Sequence, residues 1–443
     1  KSDRTLWGMG RNSYGQLGLS ETYDRVLPQF IASGVKAAAV GRYHSLFIKD
    51  DNTLWTMGYN QNGQLGDGST ATRVTPAMIA SDVSAIFAGP YNSFYVKSDS
   101  TLWGCGHNDN GELGLGSLSD FSTFQQIDSD VVTGSASGSH LLYLKSSGDV
   151  WASGRYDFGG FGNGQTAYAP KPVFIAESVT AYAAGLRHSL FVKSDGTLWG
   201  MGENTEGELG DGTTIARHTP TFIAEDVITV RGGPPFSLFV KADGTLWGMG
   251  RNSAGQLGLG TEPLHVVPKQ IDSGVAALAE GSDAAHSLYI KMDGTLWGMG
   301  PSSLGQLGEA AVGAQQLTPV QVASNVTQAA AGSGSSWYVG GDGVVRATGV
   351  NFSGLFGNGT MANVSAFTVI DPPSDSAIVR VSAGASHALF LTEEGKLWGA
   401  GSNSVGELGQ GEPSNRELNM VPIANDVATM SAGSQHSFFV KTD

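Results

Sequence analysis

The sequence predicts an all-β protein that folds as a closed β-propeller of nine four-stranded blades, with one blade shared by the two ends of the chain. Three observations predict it: a short strand ending in Gly recurs nine times, β-rich runs alternate with turn residues inside each repeat, and the two ends are complementary half-repeats. The composition agrees, because 64 Gly and only 15% charged residues among 443 suit many short strands joined by tight turns.

The recurring strand carries an aliphatic residue followed by Trp in eight of its nine copies. Its spacing is 48 to 52 residues, and a Gly-Gln-Leu-Gly sequence or a variant of it follows each copy, as at Gly15 to Gly18. Arg346 replaces the aromatic residue in one copy. The tryptophans are Trp7, Trp55, Trp103, Trp151, Trp199, Trp247, Trp297 and Trp398.

Within one repeat, four β-rich runs can be read between residues 179 and 224, namely 179–185, 188–193, 197–202 and 219–224. Asp195-Gly196 between the second and third runs is a two-residue hairpin signal. A unit this small cannot bury both of its faces alone, so neighbouring units must stack. Four strands in each unit of about 40–50 residues indicate propeller blades.

The two ends of the chain predict ring closure. Lys1-Ser2-Asp3 aligns with Lys193-Ser194-Asp195, and the chain stops after the same tripeptide position, at Asp443. Residues 1–31 and 427–443 should therefore pair in one closing blade, which leaves no bare strand edge. We expect residues 1–443 to form a single domain, and the start in mid-repeat suggests excision from a longer protein. Seven closed blades plus two outside the ring are the alternative.

These motifs resemble the RCC1 repeat family, whose repeat has a Gly-x-x-His-Ser/Thr turn, a strand ending in Gly, and Asn-x-x-Gly-Gln-Leu-Gly. The resemblance covers the whole chain and implies a propeller, although typical members have seven blades. Members include guanine-nucleotide exchange factors, protein inhibitors of β-lactamases, light sensors and accessory domains of ligases. Exchange factors resemble this chain in the repeat only, because they use an inserted wedge and the insertions here are two to four residues. The light sensors cluster Trp in the Gly-x-x-His turn, where this chain has other residues.

The charge balance limits the classes of partner that we expect. A formal net charge of −15, without a basic patch, repels phosphate backbones, so nucleic acid is not an expected partner. No stretch of about eighteen apolar residues exists, so we expect no membrane insertion. The resemblance to plain secreted rings favours a secreted or extracytoplasmic protein, although no targeting signal is visible. We expect no cofactor, and a monomer if the ring is isolated.

The repeated His and Trp residues favour structural roles over chemistry. Equivalent positions in different blades point around a ring and cannot converge on one metal ion. The sequence predicts turn histidines that bond a nearby backbone group, and tryptophans that pack between blades. No catalytic motif is present, which predicts a non-enzymatic protein. The histidines are His44, His140, His188, His286, His387 and His436, replaced elsewhere by Asn92, Phe236 and Ser335.

Recognition should lie in loops that vary on this fixed frame. Tyr and Arg are favoured interface residues, so the turns before each second strand are the predicted binding face. Its candidate residues are Arg42, Tyr43, Tyr91, Leu186, Arg187, Pro235 and Gln435. A second variable set follows the Gly-Gln-Leu-Gly sequences and contains Tyr23, Arg25, Phe121, Tyr168, Arg217, His218 and Arg416.

The predicted function is a rigid scaffold that binds a protein partner through blade loops on one face. The alternative is a structural or adhesive repeat domain of a larger bacterial surface or particle protein. Guanine-nucleotide exchange and inhibition of another protein are less favoured, because the repeat alone does not specify them.

Overall fold

The computed structural model describes residues 4–136, 140–155, 168–185, 187–279, 284–308, 313–332, 334–370, 377–383, 387–411, 414–432 and 436–442. Over these residues the protein consists of strands, turns and loops and contains no helix, hence no helix that could cross a membrane.

Thirty-six strands follow the chain in these segments, and they form nine antiparallel sheets of four strands. Blade one contains β3 (Val35–Val40), β4 (His44–Lys49), β5 (Leu54–Gly58) and β6 (Arg73–Ala80). Blade two contains β7 (Val83–Ala88), β8 (Asn92–Lys97), β9 (Leu102–Gly106) and β10 (Phe121–Asp128). Blade three contains β11 (Val131–Ala136), β12 (His140–Lys145), β13 (Val150–Gly154) and β14 (Ala169–Ala176). Blade four contains β15 (Val179–Ala184), β16 (His188–Lys193), β17 (Leu198–Gly202) and β18 (Arg217–Ala224).

The second half of the chain repeats this order. Blade five contains β19 (Val227–Gly233), β20 (Phe236–Lys241), β21 (Leu246–Arg251) and β22 (Leu264–Asp272). Blade six contains β23 (Val275–Leu278), β24 (Ser287–Lys291), β25 (Leu296–Pro301) and β26 (Gln315–Ala323). Blade seven contains β27 (Val326–Ala331), β28 (Ser335–Gly340), β29 (Val345–Gly349) and β30 (Val364–Ile370). Blade eight contains β31 (Ile378–Ala383), β32 (His387–Thr392), β33 (Leu397–Asn403) and β34 (Ser414–Ala424).

The closing blade confirms the predicted pairing of the two ends. It consists of β35 (Val427–Ala432), β36 (His436–Lys441), β1 (Thr5–Gly10) and β2 (Arg25–Ser33), in that order across the sheet. Strands β1 and β36 are antiparallel, with Leu6 opposite Val440 and Trp7 opposite Phe439. The ring therefore has nine blades, and the alternative of seven blades plus two outside the ring is wrong.

The core of the protein is divided among the junctions between blades. Nine hydrophobic clusters are found in the described residues, and each combines side chains of two neighbouring blades. One cluster joins Leu6 and Phe438 of the closing blade to Phe47 and Met57 of blade one. Burial against the next blade supplies the apolar contact that a single blade lacks.

The Gly-Gln-Leu-Gly loops reach across the same junctions. Gly15, in the loop that follows β1, has a φ of 72°, and a Cβ at this position would lie 2.8 Å from the Cα of Val74 in blade one. Gly406 of blade eight makes the equivalent approach to Val26 of the closing blade, at 2.8 Å. Positive φ and backbone contact together explain why the loop begins with Gly.

The antiparallel order of the strands sorts the connections onto two faces of the ring. The loop face carries the turn between the first and second strands of each blade and the Gly-Gln-Leu-Gly loop after the third strand. The hairpin face carries the turn between the second and third strands and the connection to the next blade. Both variable loop sets identified from the sequence therefore lie on the loop face.

Candidate functional site

Buried histidines beneath the loop face link each blade to the next. His44 Nε2 lies 2.9 Å from Ser93 Oγ in blade two, and Ser93 Oγ donates to the carbonyl oxygen of Gln64 in blade one at 2.7 Å. The equivalent His–Ser pairs are His188–Ser237 at 2.9 Å, His286–Ser336 at 2.8 Å and His387–Ser437 at 2.9 Å. The sequence predicts a bond to a nearby backbone group; at Nε2 of these residues the partner is a Ser hydroxyl of the next blade.

The geometry of these bonds favours a structural role for the pairs. The single Ser93 proton goes to the Gln64 carbonyl, so His44 must donate its Nε2–H and has no lone pair there to accept a proton. A catalytic pair needs the opposite polarity. Burial lowers the pKa of His44, His188, His387 and His436 to about 4 and that of His286 to about 3, which keeps the rings neutral.

In two of the three repeats that lack the His, the next blade also lacks the Ser that would be its partner. Asn92 precedes a blade in which Leu141 stands at the Ser position, and Ser335 precedes one in which Ala388 stands there. Phe236 is the exception, because Ser287 remains and donates to the Gln256 carbonyl at 2.8 Å. His436 is buried with Nε2 unpartnered, while Ser45 donates to the Gln16 carbonyl at 2.9 Å.

The tryptophans near the hairpin face belong to a packing arrangement repeated in most blades. In blade one, Trp55 donates to Thr53 Oγ1 at 2.9 Å, and the Thr53 hydroxyl donates to Asp51 at 2.6 Å. Lys49 Nζ lies 4.4 Å from the Trp55 ring centre, and Phe47 stacks on that ring at 6.2 Å. The ring is half-buried, and its N–H already has a partner in Thr53.

Each tryptophan packs on the cluster that its blade shares with the preceding blade. This holds for Trp7, Trp55, Trp103, Trp151, Trp199, Trp247, Trp297 and Trp398. Their location is the inter-blade one that the sequence predicts, but all eight are half-buried and not fully enclosed.

Blade seven lacks this arrangement. Gly340, Val344 and Arg346 stand where other blades have Lys, Thr and Trp. The Arg346 guanidinium lies 5.7 Å from the Tyr338 ring centre and bonds both Asp342 oxygens, at 3.1 and 2.7 Å. An open groove of about 300 Å³ lies beside these residues.

Four tyrosines and one arginine form a continuous strip on the loop face, across the closing blade and blades one and two. The ring of Tyr43 lies 4.9 Å from that of Tyr14, 6.2 Å from that of Tyr59 and 6.5 Å from that of Tyr91. Arg42 is exposed, lies 5.2 Å above Tyr43 and 5.9 Å above Tyr91, and donates to the Tyr91 hydroxyl at 3.0 Å. We call these five residues the Arg–Tyr strip.

Comparison with known proteins identifies the family. A family model described as RCC1-like domain matches residues 1–236, which is more than half of the chain. The chain belongs to the RCC1-like domain family. Models of the regulator of chromosome condensation (RCC1) repeat also match residues 243–279 and 378–407.

Curated relatives match segments of this RCC1-like chain. The regulator of chromosome condensation of Homo sapiens is 29% identical over 128 residues, 28% of this chain and 30% of that protein. The secretion-regulating guanine nucleotide exchange factor of Bos taurus is 30% identical over 134 residues, 29% of this chain and 28% of that protein. The alignments thus span less than a third of either relative.

Among solved structures, yeast RCC1 (Prp20) bound to Kap60 covers the whole RCC1-like chain with a TM-score of 0.54 and 17% identity, over 89% of its own chain. Prp20p of Saccharomyces cerevisiae, described with its binding properties to Gsp1p and histones, has a TM-score of 0.50, 18% identity and 92% coverage of its own chain. At these identities the likeness shows the fold.

The backbone of the RCC1-like repeat brings the strip residues together. The residue after the third-strand Gly hydrogen-bonds the turn before the second strand, as in Tyr59 N to Tyr43 O at 2.9 Å. His107 N bonds Tyr91 O in the same way, at 3.0 Å. Tyr14 lies in the loop that crosses from the closing blade. Sequence reasoning missed Tyr14 and Tyr59, although their fixed repeat positions were readable.

Only part of the predicted binding set belongs to the strip. Arg42, Tyr43 and Tyr91 do, whereas Arg187 and Pro235 lie in the equivalent turns that precede the second strands of blades four and five. Arg187 is exposed, 3.9 Å from a Glu203 carboxylate oxygen. Leu186 and Gln435 lie outside the described residues.

A charged group follows the strip in blade two. His107 Nδ1 lies 2.6 Å from the buried Glu112 carboxylate, and Nε2 lies 3.4 Å from Asp109. These contacts raise the pKa of His107, the hydrogen bond to Glu112 most. Asp120 accepts from Asn62 at 2.9 Å and from the backbone N–H of Asn108 at 2.8 Å, so the acidic groups already have protein partners.

Proposed function

We propose that this RCC1-like ring is a non-enzymatic scaffold that binds a protein partner through the Arg–Tyr strip. The observation that carries the proposal is the strip itself, a half-exposed row of aromatic rings across three blades with an exposed guanidinium above it.

The tyrosines of the strip lie outside the hydrophobic clusters that hold the blades together. Tyr14, Tyr43, Tyr59 and Tyr91 are absent from the nine inter-blade clusters, which bring together other side chains of the described residues. Half-exposed aromatic side chains outside the core clusters support a role in binding.

The chemistry of the strip is that of interface hot spots. Tyr and Arg are enriched among residues that dominate binding energy, because they combine large contact areas with directed hydrogen bonds. Four closely packed rings are also pre-ordered, which lowers the entropy cost of association.

The experiment captures the partner from a lysate of the source organism and then measures affinity with purified components. We expect Tyr91→Ala to weaken binding by about thirtyfold or more, the effect of losing a hot spot of at least about 2 kcal/mol. Tyr182→Ala is the control, because Tyr182 lies on the innermost strand of blade four and is 73% exposed. Equal affinities of the two variants would refute the proposal and favour the structural-domain alternative.

Guanine-nucleotide exchange is a second candidate, supported by the name of the Bos taurus relative. Its test is the release of labelled guanosine diphosphate from small guanine-nucleotide-binding proteins of the source organism. Under the scaffold proposal the ring leaves the release rate unchanged. Acceleration that depends on the concentration of the ring would replace the scaffold proposal with exchange.

A further inference from the structure

Arg42 is exposed and differs in its partners from three half-buried arginines of the chain. Arg73 pairs with Asp67 at 3.1 Å and Arg346 with Asp342 at 2.7 Å, each in its own repeat, and Arg217 pairs with Asp211 in the same way. Within the described part of the chain Arg42 forms no ion pair, and its contacts are the hydroxyls and aromatic faces of Tyr43 and Tyr91. Its charge is therefore not compensated, in a protein where carboxylates outnumber cations by 40 to 25.

The hydroxyl groups around Arg42 add hydrogen-bond donors. The Tyr91 oxygen accepts from Arg42, so its own proton can be donated outward. The Tyr43 hydroxyl also accepts from Arg42, so its proton can likewise be donated outward. A cation beside several O–H donors matches a group that only accepts, and a carboxylate is such a group.

We propose that the Arg–Tyr strip binds an acidic segment of the partner protein, with a carboxylate on Arg42. This inference rests on the proposed function and names the chemistry of its partner. Nucleic-acid phosphates share the anionic character, but a net charge of −15 opposes a long polyanion, whereas a short acidic segment meets only the local field.

The repeat provides a matched pair of variants. Arg11 and Arg251 occupy the same position in two Arg-Asn-Ser sequences, and their Nε groups donate to Ser13 at 2.8 Å and Ser253 at 2.7 Å. Arg11 lies 5.7 Å from the Tyr43 ring centre. Three residues after Arg251 the chain has Ala254, whereas three residues after Arg11 it has Tyr14. The blade that follows Arg251 has Ala284-Ala285 where blade one has Arg42-Tyr43.

The experiment measures the anisotropy of fluorescein-labelled hexaglutamate, hexaglutamine, hexalysine and a short single-stranded DNA with the full chain. We expect hexaglutamate to bind best, with affinity reduced about tenfold by Arg42→Gln, the loss of one charge-assisted contact. Arg11→Gln should weaken binding and Arg251→Gln should not. Raising the salt from about 50 to about 300 mM should also weaken it, because the contact is exposed.

Several results would overturn the inference: no hexaglutamate binding at millimolar concentration, preference for hexalysine or DNA, or equal affinity of wild type and Arg42→Gln. Failure of this inference is distinguishable from failure of the proposed function. If the captured partner is weakened by Tyr91→Ala and unaffected by Arg42→Gln, the strip is a binding site for a segment that is not acidic.

Discussion

The two faces of the ring differ in how their residues vary from blade to blade. On the hairpin face, Asp51, Asp99, Asp195, Asp243 and Asp293 each accept the hydroxyl proton of a Thr two residues later at 2.6 Å. On the loop face, the residues just before the second strand vary: Arg42-Tyr43 in blade one, Pro234-Pro235 before β20 and Ala284-Ala285 before β24.

This difference separates packing from recognition within one chain. The hairpin-face residues satisfy one another inside each repeat, so their repetition reflects a local structural requirement. The loop-face turns before β4, β8, β16 and β20 share a hydrogen bond between backbone atoms, from the residue after the third-strand Gly to the residue before the second strand. Side chains there are free to differ, and in three neighbouring blades they combine into the Arg–Tyr strip.

The largest expected effect comes from removing residues 1–10, which deletes β1 from the middle of the closing sheet. The melting temperature should fall by about 10 °C or more, and the bare edge of β36 should promote self-association. Calorimetry and light scattering measure both effects.

The matched control is a circular permutant with Asp443 joined to Arg4 and new ends at Gly34. The junction recreates the Lys-x-Asp-x-Thr-Leu-Trp hairpin of the other repeats. The permutant should have a melting temperature near that of the wild type. If the deletion variant also melts near the wild type, the closing blade does not stabilise the ring.

The second prediction concerns acid and the histidines beneath the loop face. Their folded pKa of about 4 or 3 lies below the unfolded value near 6.5, so the unfolded chain binds more protons below pH 6.5. The stability present above pH 6.5 should be lost as the pH falls toward 4, by about 1 kcal/mol per histidine per pH unit. Thermal melts from pH 8 to pH 4 measure this loss.

His188→Asn provides the control, because Asn92 occupies this position in blade two. The variant should be less stable at pH 8 and have a shallower acid slope. A melting temperature that stays constant down to pH 5 would contradict the assignment of neutral, donating histidines.

The strand pattern and the closing blade could be predicted from the sequence, because each depends on signals within one repeat or on alignment of the two ends. The His–Ser bonds could not be predicted from a single repeat, since His188 and Ser237 belong to different blades. Reading each His against the next repeat would have revealed that Asn92 and Ser335 precede blades without the Ser. For the same reason the sequence predicted only part of the strip: Tyr14 contacts Tyr43 through a loop that crosses a junction between blades.

The third prediction is that Trp199→Ala weakens the frame and leaves partner binding unchanged. Trp199 packs on the cluster of blades three and four, but it is half-buried, so we expect a loss of about 2 kcal/mol instead of the 3–5 typical of enclosed tryptophans. Tyr43→Ala should show the reverse, with nearly unchanged stability and weaker binding. Denaturant titration and the binding assay decide between them, and loss of binding without loss of stability in Trp199→Ala would make the tryptophans a ligand surface.

The smallest expected effect concerns blade seven, where the hairpin face departs from its own pattern. Without the Lys, Thr and Trp set, β27 to β30 should exchange amide hydrogens earlier than the strands of blade four. Restoring the set with Gly340→Lys, Val344→Thr and Arg346→Trp should slow that exchange by roughly three- to tenfold, the equivalent of about 1 kcal/mol for an added aromatic and cation contact. Trp199→Arg in blade four is the reciprocal control and should speed exchange there. Mass-spectrometric exchange on all three proteins tests both directions. If blade seven already exchanges as slowly as blade four, the bidentate Arg346–Asp342 pair stabilises its blade as well as the Lys, Thr and Trp set stabilises the others. The recurrence of that set on the hairpin face would then say nothing about how much it contributes to stability.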